Sequence, residues 1–261
     1  MQGIIVFFIV LFACSLGSVS GIGGGIIIKP LMDAMGGFSA ASVNAMSSIT
    51  VLTMTTVSIL KSRKNAKGIN WRIVIFFTIG SMAGGVLGNH MLASFIAGAA
   101  NDAVITIVQS ICQILLVVLV MINEIFSKRI PHFKIKNPVL MMIIGIFLGV
   151  IAAFLSIGGG IFNRPLLIIL LSMTGKTAVF TSLCIIFFAQ ASNVITMGFT
   201  DHFANVDPMI IPFMMVAAVL GGYIGGHIST HVSDKYFDRL FFITLTVILC
   251  LNTFNLLRYL V

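Results

Sequence analysis

IGGGIIIKPL at residues 22–31 and IGGGIFNRPL at residues 157–166 are one ten-residue block written twice, 135 positions apart, with seven identities and with Lys29 lying over Arg164. A repeat of this kind marks a duplicated unit, and the likeness continues in order along the chain. The offset becomes 137, so that SAASVNAM (39–46) lies over KTAVFTSL (176–183) and GIN (68–70) over NVD (205–207). GGVLGNH (84–90) likewise lies over GGYIGGH (221–227). The chain therefore divides into a first repeat, 1–126, a basic linker, 127–137 (SKRIPHFKIKN), and a second repeat, 138–261.

Hydrophobic residues make up 59% of the 261 and charged residues 8%, with a mean hydropathy of +1.14. Soluble domains carry roughly 25% charged residues, so water is not the solvent for most of this surface. Several apolar runs approach the ~20 residues that a helix needs to cross the hydrocarbon core. The runs are continuous rather than alternating, and in lipid only helices and closed barrels satisfy their own backbone. An all-α polytopic membrane protein follows. Each half reads as the same series: an apolar segment running into the glycine triplet (3–20; 139–155), a short apolar segment after it (26–36; 161–173), and three long helices. The long helices are expected at 39–60, 72–97 and 103–125, then at 176–198, 208–231 and 239–260.

The net charge of +8 does not describe a nucleic-acid surface, because nine of the fifteen Lys and Arg lie in two loops. Lys61, Arg63, Lys64, Lys67 and Arg72 form one group; Lys128, Arg129, Lys134 and Lys136 form the other. Basic loops flanking spans mark a cytoplasmic face, so loops 61–72 and 127–137 are expected in the cytoplasm, with the protein in the cell (plasma or inner) membrane. The counterpart of the first basic loop, roughly 198–208, carries no Lys or Arg and two Asp. Equivalent loops of opposite bias belong on opposite faces, which makes the halves inverted-topology repeats. Lys176, Lys235 and Arg239 then also fall inside, and only Arg258 is misplaced. The N-terminus lacks the basic leader of a signal peptide and is expected to stay in the mature protein. Cys14, Cys112, Cys184 and Cys250 sit singly in apolar runs and read as small core side chains.

Consecutive glycines followed by proline cannot continue a helix, since glycine costs ~1 and proline ~3 kcal/mol in a helix interior. Broken backbone at membrane depth is tolerated only where it is buried in protein or lines a cavity, and a duplicated break points to a transport site. The two triplets, Gly23, Gly24, Gly25 and Gly158, Gly159, Gly160, are therefore expected as tips of hairpins or as interruptions of full spans. Backbone N–H groups freed there, at the positive end of a short helix, attract anions. Lys29 and Arg164, about one turn beyond, are expected to add full charge, and an arginine grips two oxygens of an oxyanion. The competing explanation is that the glycines only allow close helix packing and the cations snorkel to the interface. Asn44 and Ser47, with Thr181 and Ser182, offer short polar groups on the helix after each break; Gln190 and Asn193 are neutral donors deep in an apolar run. Each could equally bond a neighbouring helix. His90 and His227 close the paired glycine blocks and are the candidates for a coupling proton; Asp33 is the sole acid in the short segments.

These residues resemble the TauE/SafE family of membrane permeases, the sulfite exporters. Two glycine-triplet blocks ending in proline, a following TSL element (Thr181, Ser182, Leu183) and a late glycine-rich helix carry the resemblance over nearly the whole chain. It implies a secondary carrier, an exporter of sulfite, a sulfonate or a related sulfur-containing anion, with no cofactor. Partners would be a small anionic substrate and the lipid bilayer, with no nucleic acid; the chain could act alone or as a homo-oligomer. In the first half the TSL element is Asn44, Ala45, Met46, a departure that leaves the substrate open. An uncoupled anion channel is the alternative within transport, and a membrane-complex assembly factor the alternative outside it. An enzyme is not expected, because the chain has no HExxH, GxSxG or paired carboxylates.

Overall fold

The computed structural model describes residues 2–36, 38–98, 102–126, 133–157, 160–198, 209–232 and 234–260. The described residues form α-helices and one short 3-10 turn, Arg63–Ala66, with no strand. The helices are α1 (Gln2–Ser20), α2 (Gly25–Met35), α3 (Ala40–Ser62), α4 (Trp71–Gly98) and α5 (Asp102–Phe126), then α6 (Pro138–Phe154), α7 (Asn163–Leu171), α8 (Gly175–Gly198), α9 (Ile210–His231) and α10 (Asp234–Leu260). Seven of them, all but α2, α6 and α7, contain stretches long and apolar enough to cross a membrane. The ten helices follow the ten segments expected from the sequence. The main departure is α10, which begins five residues before the expected 239: the polar stretch DKYFD continues the helix instead of forming a loop.

Local chemistry sets the boundaries. Ser39 caps α3 by accepting from Ser42 N at 3.2 Å, and Asn137 caps α6 by accepting from Val139 N at 3.0 Å, with Pro138 at the first helical position where its missing N–H costs nothing. Gly21 (φ 73°) and Gly23 (φ 87°) end α1 in the left-handed region that side chains disfavour. The α2 helix carries Pro30 internally, and Asn255 of α10 donates to the Pro30 carbonyl at 2.7 Å.

The late glycine-rich helices make the closest packing. Gly80, Gly84 and Gly88 of α4 abut the backbone of α6 at Met142, Ile146 and Val150, and Gly145 and Gly149 of α6 return the contact at Phe77 and Ser81. On α9, a Cβ at Gly221 would lie 2.7 Å from that of Cys14 on α1, and one at Gly222 would lie 2.6 Å from Met54 O on α3. Small residues four apart let helices meet at the backbone, which is how membrane helices associate where lipid removes the hydrophobic drive.

Several contacts place helix ends. Lys61 Nζ donates to the Tyr223 hydroxyl at 3.1 Å and Asn65 Nδ2 to Ser229 O at 3.3 Å, so α3 and α9 finish side by side. Lys67 and Asn70, just before α4, share a cavity wall with Thr174 and Thr177 at the start of α8. Phe133 N donates to Ile169 O at 2.7 Å and Ile135 N to Leu170 O at 3.0 Å, so α6 begins where α7 ends. At the other end of the bundle, Gly3 packs on Phe213 near the start of α9, and Arg258 near the end of α10 bonds the Ala34 carbonyl at the end of α2.

Candidate functional site

The first break is a sealed hairpin tip. Gly17 and Gly24 touch so closely that a Cβ on Gly17 would lie 2.5 Å from Gly24 N, and a Cβ on Gly21 would lie 2.9 Å from the Cα of Val179 on α8. The Gly21 carbonyl, freed by the left-handed turn, accepts from Ser182 Oγ at 2.5 Å. Gly24 O accepts from Ile27 N and Ile28 N, both at 3.0 Å. Gly23, Gly24 and Gly25 are all buried, as broken backbone in lipid requires.

The second break opens on a cavity. Gly158 and Gly159 lie outside the described residues; Gly160 packs directly on the Asn163 side chain at the first turn of α7. Ser81 of α4, Gly160, Asn163 and Ile186, Gln190 and Asn193 of α8 are among the residues lining a cavity of about 20 Å³, room for about one water. Across it runs a chain of amides. Asn89 Nδ2 on α4 donates to Asn193 Oδ1 at 3.1 Å, and Asn193 Nδ2 donates to Gln190 Oε1 at 3.4 Å.

One helix serves both breaks. Ser182, Ile186, Gln190 and Asn193 recur at helical spacing along α8; the first bonds the tip at Gly21 and the other three line the cavity at Gly160. Eight residues separate Ser182 from Gln190, about 12 Å along the helix. The breaks therefore meet one stripe of α8. Ile22 and Ile157, matching positions of the repeated block, also join one buried apolar cluster.

The charges beside the breaks are placed otherwise than a free anion trap requires. Lys29 is 2% exposed and its Nζ meets Asp33 Oδ2 at 2.8 Å, one turn along α2. Arg164 is fully buried, 2.5 Å from Asp238 of α10 and 3.5 Å from Glu124 of α5, with its guanidinium 4.4 Å from the centre of the Phe241 ring. Neither cation lines the cavity. A buried charge needs a partner at once, so each cation is matched by carboxylates of the protein and anchors its short helix.

The remaining expected residues divide. Thr181 is buried, as are Ser47 and Ser48 on the facing α3, and none of the three hydroxyls has a hydrogen-bond partner among the described residues. Asn44 is buried on α3. His90 and His227 are exposed on the outside of the bundle, with His227 stacked on Tyr223 at 6.4 Å and near His231 at 4.4 Å. Sequence reading missed Asn89, Asn163, Glu124 and Asp238. Asn163 stands inside the repeated block and Asn89 beside His90, so position could have found both. The two acids were not legible, because their partner lies far off in sequence.

A family model described as sulfite exporter TauE/SafE matches residues 6–252. The chain belongs to the TauE/SafE family. The match spans both breaks and runs from α1 into α10, and with the seven apolar helices it makes this TauE/SafE protein a multi-pass membrane protein of a sulfite-exporter family. Comparisons with curated proteins and with solved structures return no match.

Proposed function

We propose that the chain is a secondary transporter that exports a small sulfur-containing oxyanion, sulfite or a sulfonate, by alternating access of two inverted halves around the paired breaks. The observation that carries the reading is the stripe on α8 that touches both breaks and lines the cavity. The polar side chains there are neutral: the amides of Asn163, Gln190 and Asn193 and the Ser81 hydroxyl. Such a set binds a desolvated anion without the penalty of an unmatched buried cation when the anion leaves. In this reading the cavity of about 20 Å³, sized for one water, would be the closed state, and the hairpin would withdraw from α8 to admit the oxyanion.

Inversion is supported by the helix ends. α3 finishes beside the basic loop whereas its counterpart α8 starts there; α4 starts there whereas its counterpart α9 finishes. The α6–α7 hairpin has both feet at that end, and the α1–α2 hairpin has its feet against the opposite ends of α9 and α10. With the basic end in the cytoplasm of the cell membrane, the hairpins would enter from opposite faces. Lys29 and Arg164 would then hold the short helices in register while the backbone of Gly23–Gly25 and Gly158–Gly160, with Asn44, Thr181 and Ser182, contacts the solute in its passage.

The test is flux in reconstituted liposomes, with sulfite, sulfate, thiosulfate and sulfoacetate offered separately. Gln190→Leu and Asn193→Leu each remove a donor worth about ten- to a hundredfold in affinity for an anion, so uptake of the transported species should fall by that order while the protein stays monodisperse. Parental flux in both variants would remove the cavity from the pathway. His90 and His227 lie outside the cavity, so the double variant His90→Gln, His227→Gln should keep both the parental rate and its response to a pH gradient. Loss of that response alone would return proton coupling to the histidines. Flux indifferent to every ion gradient would instead identify an uncoupled channel.

A further inference from the structure

The basic end of the bundle contains a built pocket that plays no part in the transport reading. Two loops far apart in sequence, before α4 and before α6, converge there. Lys67, Asn70, Lys134 and Lys136 line it together with Thr174 and Thr177 at the first turn of α8, around a cavity of about 400 Å³. No carboxylate is among its described lining residues. The convergence is fixed by main-chain bonds: Phe133 N and Ile135 N donate to the last carbonyls of α7, and Ser172 Oγ donates to Phe133 O at 3.0 Å. This clamps Lys134 and Lys136 opposite Lys67. Three lysines line one cavity with no described carboxylate among them, and an anion inside would offset their mutual repulsion. Lysines with hydroxyls suit a phosphate, which takes point charges and hydrogen bonds without needing a planar fork.

A second cavity lies on the same two helices. Trp71, Ile75, Ile79 and Met82 of α4 face Cys184 and Phe188 of α8 around about 430 Å³ of apolar groove. Asn70 of the basic pocket and Trp71 of the groove are neighbours in the chain, as are Ile73 and Val74, so the mouth of the groove lies at the level of the basic pocket, about one residue around α4 from it. A tryptophan at such a junction suits the headgroup level of a bilayer. A basic polar site beside the mouth of an apolar groove has the shape and polarity of one lipid molecule.

We propose that the pocket and groove together bind an anionic glycerophospholipid, its phosphate among Lys67, Lys134 and Lys136 and one acyl chain between α4 and α8. The lipid would brace the feet of the α6–α7 hairpin, since the same segment 133–136 carries the lysines and holds the end of α7.

The experiment uses the full chain, purified in detergent, with native mass spectrometry to count retained lipid and thermal unfolding to read stabilisation. Dioleoyl phosphatidylglycerol, phosphatidylcholine with the same chains, glycerol 1-phosphate and inorganic phosphate are added separately. Each surface lysine contributes severalfold to anionic-lipid affinity, so phosphatidylglycerol should be retained about tenfold or more over phosphatidylcholine. The triple variant Lys67→Gln, Lys134→Gln, Lys136→Gln should lose that preference while melting like the parent in phosphatidylcholine. Lys136→Gln alone should lower it severalfold, which keeps the test valid if the triple variant does not fold. Ile79→Trp, which fills the groove, should weaken phosphatidylglycerol retention with the lysines intact. Equal retention of the two lipids by the parent, or an unchanged preference in the lysine variants, would overturn the proposal. Full stabilisation by glycerol 1-phosphate or inorganic phosphate would overturn it too, by identifying a site for a free anion.

Discussion

Arg164→Met is expected to be the most damaging single substitution in the chain, lowering the yield of monodisperse protein and the melting temperature in detergent more than any change in the cavity. Methionine fills much of the space and keeps the contact with Phe241, so the loss isolates the charge. Arg164 is fully buried, and Glu124 beside it is 13% exposed. Removing one member of such a pair strands the other, at a cost of about 3–5 kcal/mol. Adding Glu124→Gln should therefore recover a large part of the loss, a coupling that a simple packing defect would not produce. Asp238→Asn should be mild by comparison: its side chain is 62% exposed at the first turns of α10, and Glu124 still faces the guanidinium. A melting curve for Arg164→Met that overlays the parent would mean that the buried pair contributes nothing to the fold.

Gly84→Leu should come next, with failure to assemble rather than failure to transport. A Cβ at this position falls inside contact distance of the Ile146 carbonyl oxygen on α6, and backbone cannot move aside as a side-chain tip can. Overpacking a seam costs about 1–3 kcal/mol and more where neither side can yield, and Gly80 and Gly88 on the same stripe meet α6 in the same way. Gly98 closes the same helix with nothing within 4 Å of its ideal Cβ, so Gly98→Ala should be neutral or slightly stabilising. The pair of variants separates a packing requirement from a general intolerance of side chains on α4. Equal expression and equal thermal stability of the two would show that α4 and α6 do not pack at the backbone.

Most of the fold was legible because hydrophobic run length and glycine position are local signals. The broken block at 22–31 set the end of α1 and the start of α2, and its copy did the same for α6 and α7. The start of α10 was not legible, because Asp234, Lys235 and Asp238 carry the polarity of a loop and only their attachment to an apolar helix makes them its first turns. The site was legible in part. Gln190 and Asn193 stand out as amides in an apolar run, and the structure brings both to the second break. The matching of Lys29 by Asp33 follows helical spacing and could have been anticipated. That of Arg164 could not, since Glu124 and Asp238 reach it from α5 and α10 through tertiary packing alone.

The shared stripe on α8 has a consequence for how this chain can vary. An inserted or deleted residue between Ser182 and Asn193 turns one end of the helix by about 100° relative to the other, and so detaches it from one bend or the other. Lengthening a span beyond its packed stretch only changes its tilt. This interval behaves as a fixed gauge between two fittings, with a tolerance narrower than that imposed by the thickness of the membrane around it.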